Sequence, residues 1–393
     1  MKNLKFITIF FSLVLLIGCK SDDDSNEQGD APLEIPEGNI FLSSQTNSNT
    51  TILDIATGQQ ASVISEPFYK PTIYQNSTLY FTNDNLVRAS SIGGEEMWRT
   101  GFREIVGNRN EFNESKPVII GNTVYVTYRS LNLTTFESIY YLEAFDFSNG
   151  NALLTLTEQS ETISDITTFD DALVTLEFTP EILIRKRDKS TGAILNEISV
   201  TNNVQNFFVS GNSLIVFSRN NTIISLDESL NENWRYTTGG NNGVFGILDG
   251  NSFVYYSYDQ KIESLDIASG NLNWTVNIPN FGAKGLKKYQ DKYIAAQTVE
   301  SSLNLFTIEP SNGNILDTTT FELEPDNQFD DFGITFFEGN VFFVQGFNSS
   351  RDPVLTMGNI KGDIYWSRDF TTSFSNLWLL KTSSGSYTND QVF

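Results

Sequence analysis

Apolar residues along this chain fall into short runs, each introduced by a turn and each too brief for a helix. The turns are Gly38-Asn39, Asn76-Ser77, Gly121-Asn122, Asp171-Ala172, Gly211-Asn212, Gly250-Asn251, Asp291-Lys292 and Gly339-Asn340. The runs that follow read IFLSS, TLYFT, VYVTY, LVTLEF, LIVFS, FVYYS, YIAAQ and VFFVQ. They are β-branched and aromatic and alternate only in part, which is strand chemistry. Turn starts lie 38 to 50 residues apart, close to the ~40–45 residues of a four-stranded propeller blade. No amphipathic helix is evident beyond the N-terminal apolar run.

The second half of each unit recurs as well. Six units carry a strand that ends in an acidic residue, at Asp54, Asp146, Asp188, Asp227, Asp266 or Glu309. A turn follows, with glycine at Gly58, Gly150, Gly192, Gly270 or Gly313. The carboxylate can accept from the turn's amides and the glycine can take positive φ, so the spacing predicts a tight hairpin. Trp98, Trp274 and Trp366 each lie four residues after a glycine, and Trp234 holds the same place after Leu230. Elsewhere that place belongs to Ser62, Leu154, Asn196 and Asp317.

Strand, acidic turn, glycine and tryptophan together resemble the repeat of the pyrroloquinoline-quinone-type β-propeller. The resemblance implies that Trp98, Trp234, Trp274 and Trp366 dock neighbouring blades. It covers roughly residues 38 to 380 and is clearest in units five and six. The expected fold is all-β, a β-propeller of eight four-stranded blades; seven would follow if one unit were an insertion. The first unit lacks an inner strand of its own, whereas Asn376–Leu380, with Trp378, reads as an inner strand without a blade. The C-terminal strand is therefore expected to close the ring.

The N-terminus carries different information. Lys2 and Lys5 precede an uncharged run from Phe6 to Ile17, too short to span ~30 Å of hydrocarbon as a helix. It ends at Leu16-Ile17-Gly18-Cys19, which resembles the lipobox of bacterial lipoproteins and implies lipid attachment at Cys19. Cys19 is the only cysteine, so it has no disulfide partner in the chain. Residues 20–36 hold one lysine against Asp22, Asp23, Asp24, Glu27, Asp30 and Glu34, the composition of a self-repelling tether. Lys20-Ser21-Asp22-Asp23-Asp24 resembles the surface-export signal of Bacteroidetes lipoproteins. The expected organisation is a signal peptide at 1–18, an acidic tether at 19–36 and a propeller at 37–393. The expected location is the outer membrane, lipid-anchored, on the cell surface or else on the periplasmic face.

Charge and composition narrow the function. The formal charge is −23, which disfavours a phosphate backbone, so no nucleic-acid partner is expected. There is no histidine, which removes the usual general base and the partner of serine or cysteine nucleophiles. The quinone-dependent dehydrogenases share the repeat. This chain is shorter than they usually are, lacks their adjacent cysteines, and offers no catalytic aspartate by motif. No catalytic residue, metal ligand or cofactor site is assigned. The acidic patch Glu324, Asp326, Asp330 and Asp331 lacks the spacing of a calcium loop and reads as a solvated segment. Residues 99–116, 129–138 and 345–353 read as the longest loops; Arg99, Arg103 and Arg109 in the first would suit an acidic partner or glycan. The functional expectation is a non-enzymatic, membrane-anchored binding or scaffolding module for a protein or glycan. The alternative is an outer-membrane assembly factor similar to the propeller lipoprotein of the barrel-assembly machinery. A quinone-dependent or glycan-active enzyme stands behind both.

Overall fold

The runs LIVFS and FVYYS form strands Ser213–Ser218 and Ser252–Ser257, and all but the first residue of each is buried. Continuous burial, rather than alternation, means that both faces of the strand are covered. The fourth strand of each unit behaves differently: in Glu96–Gly101 and Leu272–Asn277 exposed positions dominate and the tryptophan is the buried exception. Middle strands are thus sandwiched between neighbours, and fourth strands form the rim.

The protein is described by a computed structural model covering residues 38–380 and 390–391. The stretches 45–48, 67–68, 76, 83–84, 91–93, 103–107, 113–115, 159–161, 180, 201–203, 219–220, 240–241, 258, 279–282, 300–301, 323–331, 338–339, 346–353 and 371–375 are not described. Cys19, the acidic tether and the 324–331 patch lie outside the described residues. Every element among those described is a β-strand.

The strands form eight antiparallel sheets, the blades of an eight-bladed propeller. Blades 2 to 8 occupy residues 69–101, 108–158, 162–200, 204–237, 242–277, 283–322 and 332–369. Blade 1 joins the two ends of the chain. Its strands Asn39–Ser44, Asn49–Asp54 and Gln60–Ile64 are completed by Asn376–Leu380, with Phe41 opposite Trp378. The C-terminal strand closes the ring.

Two blades depart from four plain strands. In blade 1 the short strand Asp390–Gln391 adds a fifth, pairing with Trp378 and Leu379. In blade 3 the inner strand is split: Val118–Ile120 pairs with the start of Thr123–Asn132, and Asn108–Phe112 with its end. Much of what reads as loop in 99–116 and 129–138 is therefore sheet. The paired strands Thr123–Asn132 and Ser138–Asp146 make an unusually long hairpin.

The core is a ring of interfaces, because alternate residues of a blade face opposite neighbours. In blade 5, Leu214 and Val216 pack with Val174 and Leu176 of blade 4, while Ile215 and Phe217 pack with Phe253 and Tyr255 of blade 6. Aromatic rings fill these seams tilted or edge-on, as where Phe253 lies 5.0 Å from Phe208 and 5.7 Å from Phe217.

Candidate interaction surface

Propeller strands run between two faces. The turns joining first to second and third to fourth strands share one face, called here the turn face. Hairpins joining second to third strands lie on the opposite face. The acidic residues and glycines of the repeat occupy the turn face.

There the acidic residues serve their own turns. The amide of Gly150 donates to Asp146 O, that of Gly192 to Asp188 O and that of Gly270 to Asp266 O, each at 2.8 Å. The carboxylates accept from amides inside the turn: Asp188 Oδ1 from Ser190 and Thr191 at 2.9 and 2.7 Å, and Asp266 Oδ1 from Ser269 at 2.8 Å. Bonds from the Ser190 hydroxyl and the turn amides hold the Asp188 carboxyl well below its usual range. Asp146, Asp227 and Asp266 are lowered in the same way, chiefly by Ser148, Asn231 and Ser269.

The glycines meet two demands at once. Gly270 has φ +70°, and a Cβ there would stand 2.5 Å from the Trp234 ring of the preceding blade. Trp98, Trp274 and Trp366 press on Gly150, Gly313 and Gly58 in the same manner. Each indole also donates to a main-chain carbonyl of the next blade. Trp98 reaches Phe147 O at 2.8 Å, Trp234 reaches Ile267 O at 2.7 Å and Trp274 reaches Pro310 O at 2.7 Å. Trp366 reaches Ile55 O at 2.9 Å, across the closure.

The acceptor in each case is the residue just after the acidic one, and blades 3, 4 and 7, which lack the tryptophan, reach the equivalent carbonyl (after Asn359 in blade 8) with other donors. Tyr125 Oη donates to Lys189 O at 2.8 Å, Lys186 Nζ to Glu228 O at 2.7 Å and Thr319 Oγ1 to Ile360 O at 2.6 Å. The shared element of seven interfaces is thus the carbonyl, not the tryptophan. Blade contact draws that carbonyl partly out of water, and an acceptor so shielded and left without a donor is costly. These substitutes come from second, third and fourth strands, so no fixed spacing announces them in the sequence. In blade 4, Asn196 at the tryptophan position also donates to Ser229 O. In blade 3, Leu156 rather than Leu154 packs on Gly192.

A buried ionic cluster sits in the same region. Glu177 and Thr175 share a strand face with Leu173, which packs against Tyr125 and Leu142 of blade 3. The Glu177 side chain is 0% exposed. Its Oε1 accepts from Arg187 Nε and Nη2 at 3.0 and 2.8 Å and from Thr175 Oγ1 at 2.5 Å. Its Oε2 accepts from Arg185 Nη1 at 2.5 Å. Lys186 points to the other side, onto Asp170 at 2.7 Å. The signal was in the sequence: this strand reads ILIRKR where blades 5 and 6 have TIISL and KIESLD.

This bears on cofactors. A quinone would need cationic and donor groups free to reach it. The buried cations among the described residues, Arg185, Lys186 and Arg187, are committed to Glu177, Asp170 and main-chain carbonyls. Among the described residues, no buried cation is left to hold that group. Among the described residues, no cluster of three or more histidine, cysteine or acidic side chains is gathered for a metal.

The arginines of the first candidate loop are placed unevenly. Arg99 lies on a strand and is clamped between both Glu66 oxygens, at 3.1 and 3.0 Å, and Glu96. It is a link between blades 1 and 2 rather than a free contact. Arg109 lies on the strand Asn108–Phe112, and Arg103 falls outside the described residues.

On the hairpin face, blade 3 stands out. Its second strand has ten residues against six in blades 5, 6 and 8, about 14 Å more at ~3.4 Å per residue. The tip carries Leu133, 54% exposed, and Phe136, 76% exposed. Its hydrogen bonds repeat those of the acidic turns. Asn132 O accepts from the Phe136 amide at 2.8 Å, and Asn132 Oδ1 accepts from Thr134 and Thr135 at 2.8 and 2.9 Å. Phe136 therefore stands where the acidic turns have glycine, at φ +59°. For a residue with a Cβ this region costs about 1–2 kcal/mol.

Comparison with known proteins identifies the repeat. The family model described as outer membrane protein assembly factor BamB matches residues 181–383, just over half of the chain. The chain belongs to this family. Among solved structures it is similar to BamB from Moraxella catarrhalis, at 11% identity and TM-score 0.55, covering 79% of this chain and 90% of that one. It is also similar to dihydro-heme d1 dehydrogenase NirN in complex with DHE, at 12% identity and TM-score 0.62, covering 87% and 75%. The computationally designed Ika8 protein matches at 11% identity and TM-score 0.56, covering 85% and 96%. At such identities these likenesses concern the fold alone. No curated protein matches the chain.

Proposed function

We propose that this chain is a non-catalytic, lipid-anchored propeller that binds protein partners at the outer membrane and assists the assembly of outer-membrane proteins. The observation that carries the reading is the family match over residues 181–383, laid on an eight-bladed ring in which the acidic residues of the repeat and the described buried cations serve turns and blade interfaces. Such a ring is a rigid platform, and function on a platform resides in the segments that project from it. The lipobox-like run ending at Cys19 supports the anchor, and the acidic stretch behind it supports a tether.

Deletion of the gene tests the reading. Heat-modifiable, folded β-barrel proteins should fall in the outer membrane and recover with the wild-type chain but not with Cys19→Ala. Unchanged barrel levels would overturn it. A second reading, a surface-exposed binder of a protein or glycan, rests on Lys20-Ser21-Asp22-Asp23-Asp24. Protease treatment of intact cells separates the two: release of the propeller favours the surface reading, and full protection favours the periplasmic one.

A further inference from the structure

The tip of the blade 3 hairpin combines features that folding alone does not reward. Phe136 holds a backbone conformation that five equivalent turns give to glycine, yet the residue is 76% exposed and gains little burial in return. Leu230 makes the contrast. It too has positive φ in place of glycine, but its side chain is buried among Val174, Val216 and Leu226. A left-handed aromatic beside an exposed leucine, on a tip fixed by the Asn132 side chain, is preorganised for contact.

Charge chooses the kind of partner. The chain carries a formal −23, which opposes approach to anionic lipid, and the tip sets exposed Glu137 beside Phe136, which suits a protein surface with cationic groups around the apolar contact. We infer that Leu133 and Phe136 form the anchor by which the propeller docks into an apolar socket on a protein partner, with a basic rim that faces Glu137. The inference rests on the proposed protein-binding function and gives it a site.

The test is photocrosslinking in the native cell with the lipidated full chain. Phe136→p-benzoylphenylalanine should give one discrete adduct with another protein, and the same probe at Leu153, 56% exposed on the blade 3 rim, should not. Adding Leu133→Asn should reduce the adduct at least tenfold. Phe136→Gly, free of the backbone conflict, should raise the thermal midpoint of the purified chain, showing that loss of docking is not loss of fold. The inference is overturned by no adduct, by an adduct insensitive to Leu133→Asn, by an adduct of two copies of this chain, or by tip-dependent flotation with phosphatidylethanolamine–phosphatidylglycerol vesicles. If gene deletion lowers folded barrel proteins while Leu133→Asn with Phe136→Gly leaves them unchanged, the docking site is wrong and the proposed function stands. If deletion has no effect, the function itself fails.

Discussion

Replacing Glu177 by glutamine should be among the most damaging conservative changes in this protein. The carboxylate is fully buried between blades 3 and 4 and accepts four hydrogen bonds, three of them from Arg185 and Arg187. Glutamine keeps the shape but removes the charge, and it turns an amide donor toward one of the guanidinium donors. Glu197, at 3.0 Å from Arg185 Nε, is half-exposed, and Arg187 also donates to Gly192 O. Removing one partner of a buried pair costs about 3–5 kcal/mol. With ~2.1 cal/mol/K of unfolding entropy per residue, a ring of roughly 340 residues would lose about 4–7 °C in Tm. Calorimetry and urea titration of the purified propeller measure this directly. Glu232→Gln, which breaks the exposed pair with Arg235, serves as control and should change stability by ~0.5 kcal/mol or less. A Tm shift for Glu177→Gln no larger than that of the control would refute the argument that this cluster is desolvated and interdependent.

Gly270→Ala should destabilise more than Gly250→Ala: both glycines have positive φ, but only at Gly270 does the new Cβ meet an indole, at 2.5 Å, and equal Tm losses would contradict the close-approach argument. Trp366→Phe removes the donor to Ile55 O at the closure and should cost ~1–3 kcal/mol. Hydrogen exchange should then accelerate first in Asn39–Ser44 and Asn376–Leu380; acceleration spread evenly over the blades would argue against a local seam. The lowered carboxyls of Asp146, Asp188, Asp227 and Asp266 bind protons more readily in the unfolded chain. Their contribution is complete above the unfolded value near ~3.9 and is lost as pH falls through the lower folded values. Thermal midpoints measured from pH 6 downward should drop below about pH 4, and Asp188→Asn should blunt that drop.

The sequence made the strands, the eight blades and the closure by residues 376–380 legible, because turn and strand residues recur at blade spacing. It made blade 3 legible only in part. RSLNLTTFES is rich in turn formers and reads as a loop, yet Arg129 to Asn132 continue the ladder, pairing with Glu111 to Asn108. Main-chain pairing does not depend on side-chain type, so a hairpin that outgrows its ring leaves little apolar pattern. The interface donors Tyr125, Lys186 and Thr319 were hidden for a related reason. What is shared is an acceptor on the backbone, and any side chain that reaches it will do. The conflict at Phe136 was invisible because only the turn geometry reveals that glycine was the expected residue there.

Closure of the ring by its two ends also sets the order in which the molecule can be made. The strand Asn39–Ser44 finds its inner neighbour only once Asn376–Leu380 is available, and the Trp366–Ile55 bond spans 311 positions. Contacts so distant in sequence are reached late and slowly. Blade 1 must therefore wait, with one edge unpaired, while seven other blades assemble. For the exported chain proposed above, that delay is useful: the last stitch cannot be drawn until nearly the whole thread has passed.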